Sequence, residues 1–186
     1  MNESTPKEIK LSSIRPILSR TDLTGKIKSC NSYFVEISGY TEAELIGKAH
    51  NIIRHKDMPK IIFKLMWARL KKNENILAVV KNQSKSGNYY WVTTMFETKY
   101  HPFDKTPESY LALRKAAPEK AVKAIEPLYA KLCKIEEEHG IEASEEYLMQ
   151  MLRQENKTYD EYIEEIVHYK GLIATFFNSM RKMFAA

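Results

Sequence analysis

The sequence predicts an α+β fold: a five-stranded antiparallel sheet with short helices, followed by a C-terminal α-helical region. Strand-like runs separated by turn residues extend to about residue 115, whereas apolar residues beyond residue 118 recur at helical spacing. The charge changes at the same boundary, because residues 1–115 carry 20 basic and 11 acidic side chains and residues 116–186 carry 9 and 13. We therefore divide the chain into a flexible N-terminus (1–10), a sheet-containing domain (11–115) and a helical region (116–186).

A β-hairpin and two short helices open the predicted domain. Strand-like residues at 14–21 and 27–30 are joined by an Asp-Leu-Thr-Gly sequence that favours a tight turn. Asn31 can cap a first helix, which Gly39 is expected to end. The pattern Thr-x-x-Glu starting at Thr41 is a capping box and predicts a second helix.

A longer amphipathic helix and three strands complete the predicted domain. Pro59 suits the first turn of that helix. Strand-like runs follow at 76–80 and 89–100, with a turn between them, and a last short strand is expected at 109–113. The helix should pack on these strands through an apolar face formed by Ile62, Phe63, Met66, Trp67 and Leu70.

The region after the last strand has the pattern of a helical bundle. A four-three alternation of apolar residues begins at Ala121, and Pro127 within it predicts a kink or a restart. We expect Gly140 to end that helix, Ser144 to open the next, and a long final helix to begin near Thr158. The apolar stripe of the final helix consists of Tyr159, Ile163, Ile166, Ile173, Phe177, Met180 and Phe184.

Composition and motifs limit the class of protein. Cys30 and Cys133 belong to no C-x-x-C pattern or Cys/His cluster, so neither a disulfide framework nor a zinc site is expected. The N-terminus has no apolar signal region, and no run reaches the roughly 18 apolar residues of a membrane helix, which predicts a cytoplasmic protein without direct membrane insertion. The basic residues of the first 115 could attract nucleic acid, an acidic partner or a bound anion. They are not striped along one helix, so we expect no nucleic-acid binding, and no catalytic motif such as a P-loop or G-x-S-x-G indicates an enzyme.

Five stretches of the sequence together resemble a known domain family. They are NSYF (31–34), SGYTEAELIG (38–47), HNIIRHKDMP (50–59), VKN (80–82) and GNYYWV (87–92). The first two are general PAS sequence. The last three are similar to the Aer subfamily, the flavin-binding sensors of bacterial aerotaxis and energy taxis, and the similarity continues into EPLY at 126–129. The chain is therefore identified as a member of an Aer-like PAS family, which implies the PAS fold for residues 11–115.

The resemblance implies FAD as the cofactor. His55 and Asp57 resemble flavin-site residues of the family, and Arg54 beside them could bind a pyrophosphate bidentately. Side-chain amides could hydrogen-bond the ring edge or the ribose, and tryptophans could supply apolar walls. The predicted cofactor-binding residues are Asn31, Arg54, His55, Asp57, Trp67, Asn82 and Trp91.

Two alternatives to FAD remain open at this point. Aer-type domains usually have a tryptophan where this chain has Ile76, which leaves room for haem b or for an empty domain used in protein contacts. If haem is bound, His55 or His50 would be its axial ligand, with His101 a weaker candidate. Apart from the resemblance, the charged run at 54–57 is also typical of a solvated loop, and Trp67 of a packed helix face.

The resemblance also implies a role in signalling. CetB-type PAS proteins form one half of split energy-taxis receptors, whose other half carries the chemoreceptor signalling helices. We therefore expect this chain to relay a redox or oxygen state to a membrane-bound chemoreceptor-type partner. The helical region 116–186 is expected to pass on the signal and to form a homodimer.

Overall fold

The computed structural model describes residues 5–167 and confirms the expected five-stranded antiparallel sheet, in the order β2-β1-β5-β4-β3. The strands are β1 (Ile17–Thr21), β2 (Ile27–Cys30), β3 (Ile76–Gln83), β4 (Tyr89–Tyr100) and β5 (Pro107–Ala116). The α-helices are α1 (Ser32–Ser38), α2 (Glu42–Leu45), α3 (Lys60–Lys71), α4 (Glu119–His139), α5 (Ile141–Gln154) and α6 (Tyr159–Val167), and a 3₁₀ turn covers His50–Ile53. Within the described residues, no helix is both long and apolar enough to cross a membrane.

The two short helices begin and end as their sequence patterns predict. The Asn31 side chain accepts a hydrogen bond from the Phe34 amide at 3.1 Å, which caps the start of α1. Gly39 ends that helix in the left-handed conformation, at φ 70°, where a residue without a Cβ is unstrained. The capping box that starts at Thr41 is present at the start of α2.

The strands extend further than their composition indicates. β3 continues through Lys81 and Asn82, which pair with Trp91 and Tyr90 of β4, and β5 continues to Ala116. These extensions contain polar residues, so the sequence pattern does not indicate a strand there. Pairing with the 12-residue β4 supplies the backbone hydrogen-bond partners that extend the strands. Pro59 is the N-cap of α3 and not a residue of its first turn.

The predicted flexible N-terminus does not extend over residues 7–9. The Tyr89 amide donates to the Lys7 carbonyl at 3.0 Å, and the Ile9 amide donates to the Tyr89 carbonyl at 2.7 Å. Pairing between β4 and β5 ends at Val92, so this short N-terminal segment provides backbone partners for the first residue of β4.

Different elements pack on the sheet. α3 lies over the inner face, and α4 and α6 pack along β3, the strand at one edge of the sheet. The Tyr129 hydroxyl on α4 donates to the Val79 carbonyl at 2.7 Å, and its ring lies 6.4 Å from the ring of Trp91. α4, α5 and α6 are therefore packed against the sheet and α3.

We predicted a kink or a restart of the helix at Pro127. The helix does not restart there, because α4 is one helix that contains Pro127. Proline removes a single backbone donor. Buried Ile125 and Tyr129, on either side of it, pack into the core and hold both halves of the helix against the domain.

The prediction that Ser144 opens α5 is also wrong, because this helix begins at Ile141. Ser144 is buried inside the helix, where its hydroxyl donates to the Ile141 carbonyl at 2.9 Å. At the start of α6, Thr158 and Glu161 exchange hydrogen bonds as expected of a helix start. The stripe residues Ile173, Phe177, Met180 and Phe184 lie outside the described residues.

The substitution Tyr129→Phe is expected to lower the free energy of unfolding by about 1–3 kcal/mol, because the buried Val79 carbonyl loses its hydroxyl donor. Urea unfolding followed by circular dichroism measures this change. Tyr147→Phe, which removes the hydroxyl of an exposed tyrosine on α5, is the matched control and should change the value by less than about 0.5 kcal/mol. Equal losses in the two variants would contradict this role of Tyr129.

Candidate functional site

A cavity of about 380 Å³ lies between α3 and the inner face of the sheet. Its apolar walls come from α3 and from the strands: Phe63, Met66, Trp67, Leu70, Val80, Phe96, Tyr110 and Ala112. Its polar groups come from the 3₁₀ turn, the loop after it, β3 and β5: His50, Asn51, Arg54, Asn82 and Arg114. A mostly apolar cavity with a few convergent polar groups is typical of a small-molecule site.

The aromatic end of the cavity depends on the β1–β2 turn. The Trp67 indole packs edge-on against Tyr110, with ring centroids 5.7 Å apart. Gly25 in the turn has φ +86°, and a Cβ built there would lie 3.0 Å from the Trp67 ring. Glycine therefore satisfies both the backbone conformation of the turn and the close approach of the indole.

Arg114 of β5 is a buried cation at the cavity. Its guanidinium donates to the Ser19 hydroxyl at 3.0 Å and to His50 Nε2 at 2.8 Å. Among the described residues it forms no ion pair with a carboxylate, and burial lowers its pKa to about 10. A buried charge without a counter-ion is costly, so an acceptor-rich ligand in the cavity would stabilise Arg114.

His50 is held neutral beside Arg114. Because a guanidinium only donates, His50 Nε2 must accept from Arg114, and the ring proton is therefore on Nδ1. Burial lowers the pKa of His50 well below its usual value, and the charge of Arg114 lowers it further. Its Nε2 also lies 3.0 Å from the Ser19 hydroxyl, so this nitrogen is already engaged.

Asn82 presents a free donor to the cavity. The residue is 4% exposed, and its side-chain nitrogen lies near the buried Tyr90 hydroxyl of the paired strand but makes no hydrogen bond of good geometry among the described residues. An unpaired buried donor is unfavourable in an empty cavity, whereas a ligand acceptor would satisfy it.

Arg54 lies at the polar end of the cavity. Its guanidinium is 4.4 Å from the centre of the Phe63 ring, and one nitrogen donates to the Met58 carbonyl at 2.7 Å. Burial lowers the pKa of Arg54, and the nearby Glu136 carboxylate opposes that shift. The remaining donors of the guanidinium are suited to an anionic group.

His55 and Asp57 do not line the cavity. Asp57 binds Lys81 at 2.8 Å and lies 3.4 Å from His55 Nδ1, and Lys81 is also 3.5 Å from Glu126 of α4. Lys81 follows the outer face of β3, opposite Asn82, because neighbouring side chains of a strand alternate. Burial opposes ionisation of Asp57, but Lys81 and His55 outweigh it and leave its pKa below the usual value. These charged side chains therefore connect the loop before α3 to α4.

Asn31 and Trp91, which were also predicted to bind a cofactor, lie outside the cavity. The Asn31 amide is used locally, since it donates to the Pro16 carbonyl at 2.8 Å and caps α1. Trp91 pairs with Lys81 on the outer face and stacks on Tyr129. The strand alternation that brings Asn82 inward is the reason that Trp91 points outward.

Of the seven residues predicted to bind a cofactor, the structure brings together Arg54, Trp67 and Asn82. Sequence reasoning missed Arg114, and it considered His50 only as a haem ligand. The sequence signal for Arg114 was its place in the last strand. It lies two residues after Ala112, and alternate residues of a strand share one face. Ile76 is buried in the core at the start of β3.

The candidate haem ligands have other partners. His50 Nε2 accepts from Arg114, His55 Nδ1 accepts from the Asp57 amide at 3.1 Å, and His101 lies in the β4–β5 hairpin, 3.2 Å from Asp104. In the part of the chain that the structure describes, no group of three or more His, Cys, Asp or Glu residues is arranged to hold a metal ion.

Comparison with known proteins supports the fold described above. Residues 27–109 match the family described as the PAS fold. The chain is 38% identical over 128 residues to the aerotaxis receptor of Escherichia coli (strain K12), an alignment that covers 69% of this chain and 25% of the receptor. The chain therefore spans about a quarter of the length of this relative.

Solved structures share the fold at low identity. One is a light-oxygen-voltage domain studied with a flavin analogue, with a TM-score of 0.54, 17% identity, and coverage of 60% of this chain and 84% of that one. Another is the light-state structure of the blue-light photoreceptor Aureochrome1 LOV, with a TM-score of 0.50, 16% identity, and coverage of 66% and 91%.

The neutral state of His50 predicts a pH dependence of stability. Below about pH 6.5 the unfolded chain protonates this histidine whereas the folded chain does not, so stability falls as the pH falls. The slope due to His50 can reach about 1.4 kcal/mol per pH unit, and His50→Gln, which keeps an acceptor for Arg114, should remove it. His55, whose pKa burial also lowers, adds a slope of the same sign in both proteins.

Urea unfolding between about pH 7.5 and 5.5 measures these slopes. His55→Gln separates the contribution of the second histidine. Identical pH dependence in the wild type and His50→Gln would show that His50 is not held neutral.

Proposed function

Because this chain belongs to the Aer-like PAS domain family, we propose that it is a sensor that holds FAD in the cavity beneath α3 and relays its redox state to a chemotaxis-type signalling partner. The observation that carries the proposal is the pair of buried donors at one apolar cavity. Asn82 has an unpaired side-chain nitrogen there, and Arg114 has no carboxylate partner among the described residues.

The residues present fit the ring system of a flavin. An isoalloxazine ring is flat and largely apolar, and it carries carbonyl oxygens and ring nitrogens that accept hydrogen bonds. Trp67 and Phe63, which lie one turn apart on α3, would contact one face of the ring, and Asn82 and Arg114 would donate to its acceptors. The half-buried Arg54 would bind the diphosphate. His55 and Asp57 lie one and three residues further along the same loop, and we propose them as contacts for the part of FAD that extends beyond the cavity.

The similarities also favour flavin. The relative from Escherichia coli is an aerotaxis receptor, and a structural neighbour was studied with a flavin analogue. Haem is less well supported, because the nitrogen of His50 at the cavity already accepts from Arg114 and the other two histidines considered lie outside it.

Bound flavin would supply reversible electron transfer, with a change of charge and protonation at the ring. Arg114 would place a permanent positive charge near that ring, and it would therefore stabilise the more negative redox state. The neutral His50 would hold Arg114 in place as an acceptor without cancelling its charge. A difference of about 1–3 kcal/mol between redox states would be enough to shift a two-state element.

The signalling role follows from the same similarity. A PAS domain and a receptor relative favour signalling over catalysis. We propose that the chain acts in the cytoplasm, that the helices after residue 116 pass the signal to a membrane-bound chemoreceptor-type partner, and that these helices form a homodimer. The ion pairs of Lys81 with Asp57 and Glu126 would link the loop beside the cavity to α4.

Purified protein mixed with FAD and then separated from unbound FAD by gel filtration is expected to retain flavin absorption bands that dithionite bleaches. Asn82→Ala and Arg114→Lys should each weaken FAD binding roughly tenfold, because each removes a buried hydrogen bond to the ligand. Isothermal titration measures this loss. Asn75→Ala and Arg153→Lys, which change exposed residues of the same types, should bind FAD like the wild type.

Failure of the wild type to bind FAD would overturn the proposal. A Soret band in its place would indicate haem, and the absence of both cofactors would favour a protein-interaction module.

A further inference from the structure

The helix that forms one wall of the cavity is capped by a distant part of the chain. Glu136 of α4 accepts hydrogen bonds from the amides of Lys60 and Ile61, both at 2.8 Å. These are the first amides of α3, and Pro59 at its N-cap makes no side-chain hydrogen bond to them. The carboxylate therefore replaces the local cap that α3 lacks, and its negative charge is favourable at the positive end of the helix dipole.

The same carboxylate reaches a third helix. The hydroxyl of Ser144, which is fully buried in α5, shares its single proton between the Ile141 carbonyl at 2.9 Å and Glu136 Oε1 at 3.2 Å. Glu136 therefore joins α3, α4 and α5 through one side chain. The two α3 residues that donate to it, Lys60 and Ile61, precede Glu136 by 76 and 75 positions in the sequence.

Glu136 also acts on the polar end of the cavity. Its charge stabilises the protonated form of Arg54, which burial would otherwise disfavour. Arg54 lines the cavity and stacks on Phe63, a residue of α3. The Glu136 carboxylate therefore acts on both the first amides of α3 and Arg54. An anionic ligand at Arg54 would interact electrostatically with the same group that caps α3.

Other contacts between α3 and the C-terminal helices are of a different kind. Arg69 binds Asp160 of α6 at 2.6 Å, and Lys64 binds Glu145 of α5 at 2.7 Å. These are partly exposed ion pairs, which usually contribute little to stability. Glu136 instead satisfies backbone donors of α3 that would otherwise lack a protein acceptor.

We propose that Glu136 is the positioning residue through which α4 and α5 hold the cavity wall, so that ligand binding in the cavity and the packing of these helices are energetically coupled. The identity of the ligand rests on the proposed function, whereas the coupling rests on the contacts of Glu136. By thermodynamic reciprocity, a ligand that shifts α3 changes α4 and α5, and a partner that binds these helices changes ligand affinity.

Hydrogen exchange of the ligand-free chain tests the positioning role. Glu136→Gln replaces one carboxylate oxygen with an amide group that cannot accept, so one α3 amide loses its partner. We expect exchange of the Lys60 and Ile61 amides and of the α5 segment around Ser144 to become roughly five- to tenfold faster. Glu137→Gln removes the same charge from the next, exposed residue and should leave both segments unchanged. Faster exchange in α3 alone, or in neither segment, would overturn the proposal.

A second comparison separates coupling from simple capping. Pro59→Ser in the Glu136→Gln background gives α3 a local cap, so it should restore slow exchange in α3 while α5 stays fast. With FAD added, the wild type and Glu137→Gln should show slower exchange in α4 and α5, and the double variant should bind FAD but lose most of this response. An unchanged response in the double variant would overturn the coupling. If the wild type does not bind FAD, the proposed function fails, and the ligand-free measurements alone decide for or against the coupling.

Discussion

Strand β3 is buried on both faces, and the arrangement of the rest of the chain depends on that constraint. Neighbouring side chains of a strand point to opposite faces, so Asn82 points into the cavity and Lys81 points toward α4. α3 covers the inner face, α4 and α6 pack along β3 at the edge of the sheet, and Trp91 on the outer face stacks on Tyr129 of α4. The C-terminal helices are for this reason part of the same packed structure as the PAS domain.

The chemistry of the inner face follows from burying a cation beside a neutral histidine. His50 accepts from Arg114 and holds its orientation, but it supplies no negative charge. The positive charge therefore remains available to a ligand, together with the unpaired nitrogen of Asn82. On the outer face, by contrast, Lys81 of β3 is paired with Asp57 and Glu126. β3 therefore presents Asn82 to the cavity on one face and an already paired charge on the other.

Local patterns predicted the parts of the structure that local interactions make. The caps at Asn31 and Thr41 involve atoms within three residues of each other, and both are present. The same locality accounts for the position of Asn31, whose amide hydrogen-bonds to the Phe34 amide and to the Pro16 carbonyl at the start of α1. Arg54 and Trp67 line the cavity from a loop and a helix face, whereas strand alternation places Trp91 on the opposite side of the sheet.

The sequence by itself determined the order of strands and helices along the chain, the change from strands to helices near residue 116, and the PAS family. These features depend on residue spacing and on contiguous motifs. Only the tertiary structure decided which side chains meet. Arg114 and His50 are 64 residues apart, and Glu136 reaches α3 across 76 positions. Such contacts require the register of the sheet and the direction of α4, and both are set by packing between distant segments rather than by the residues around each site.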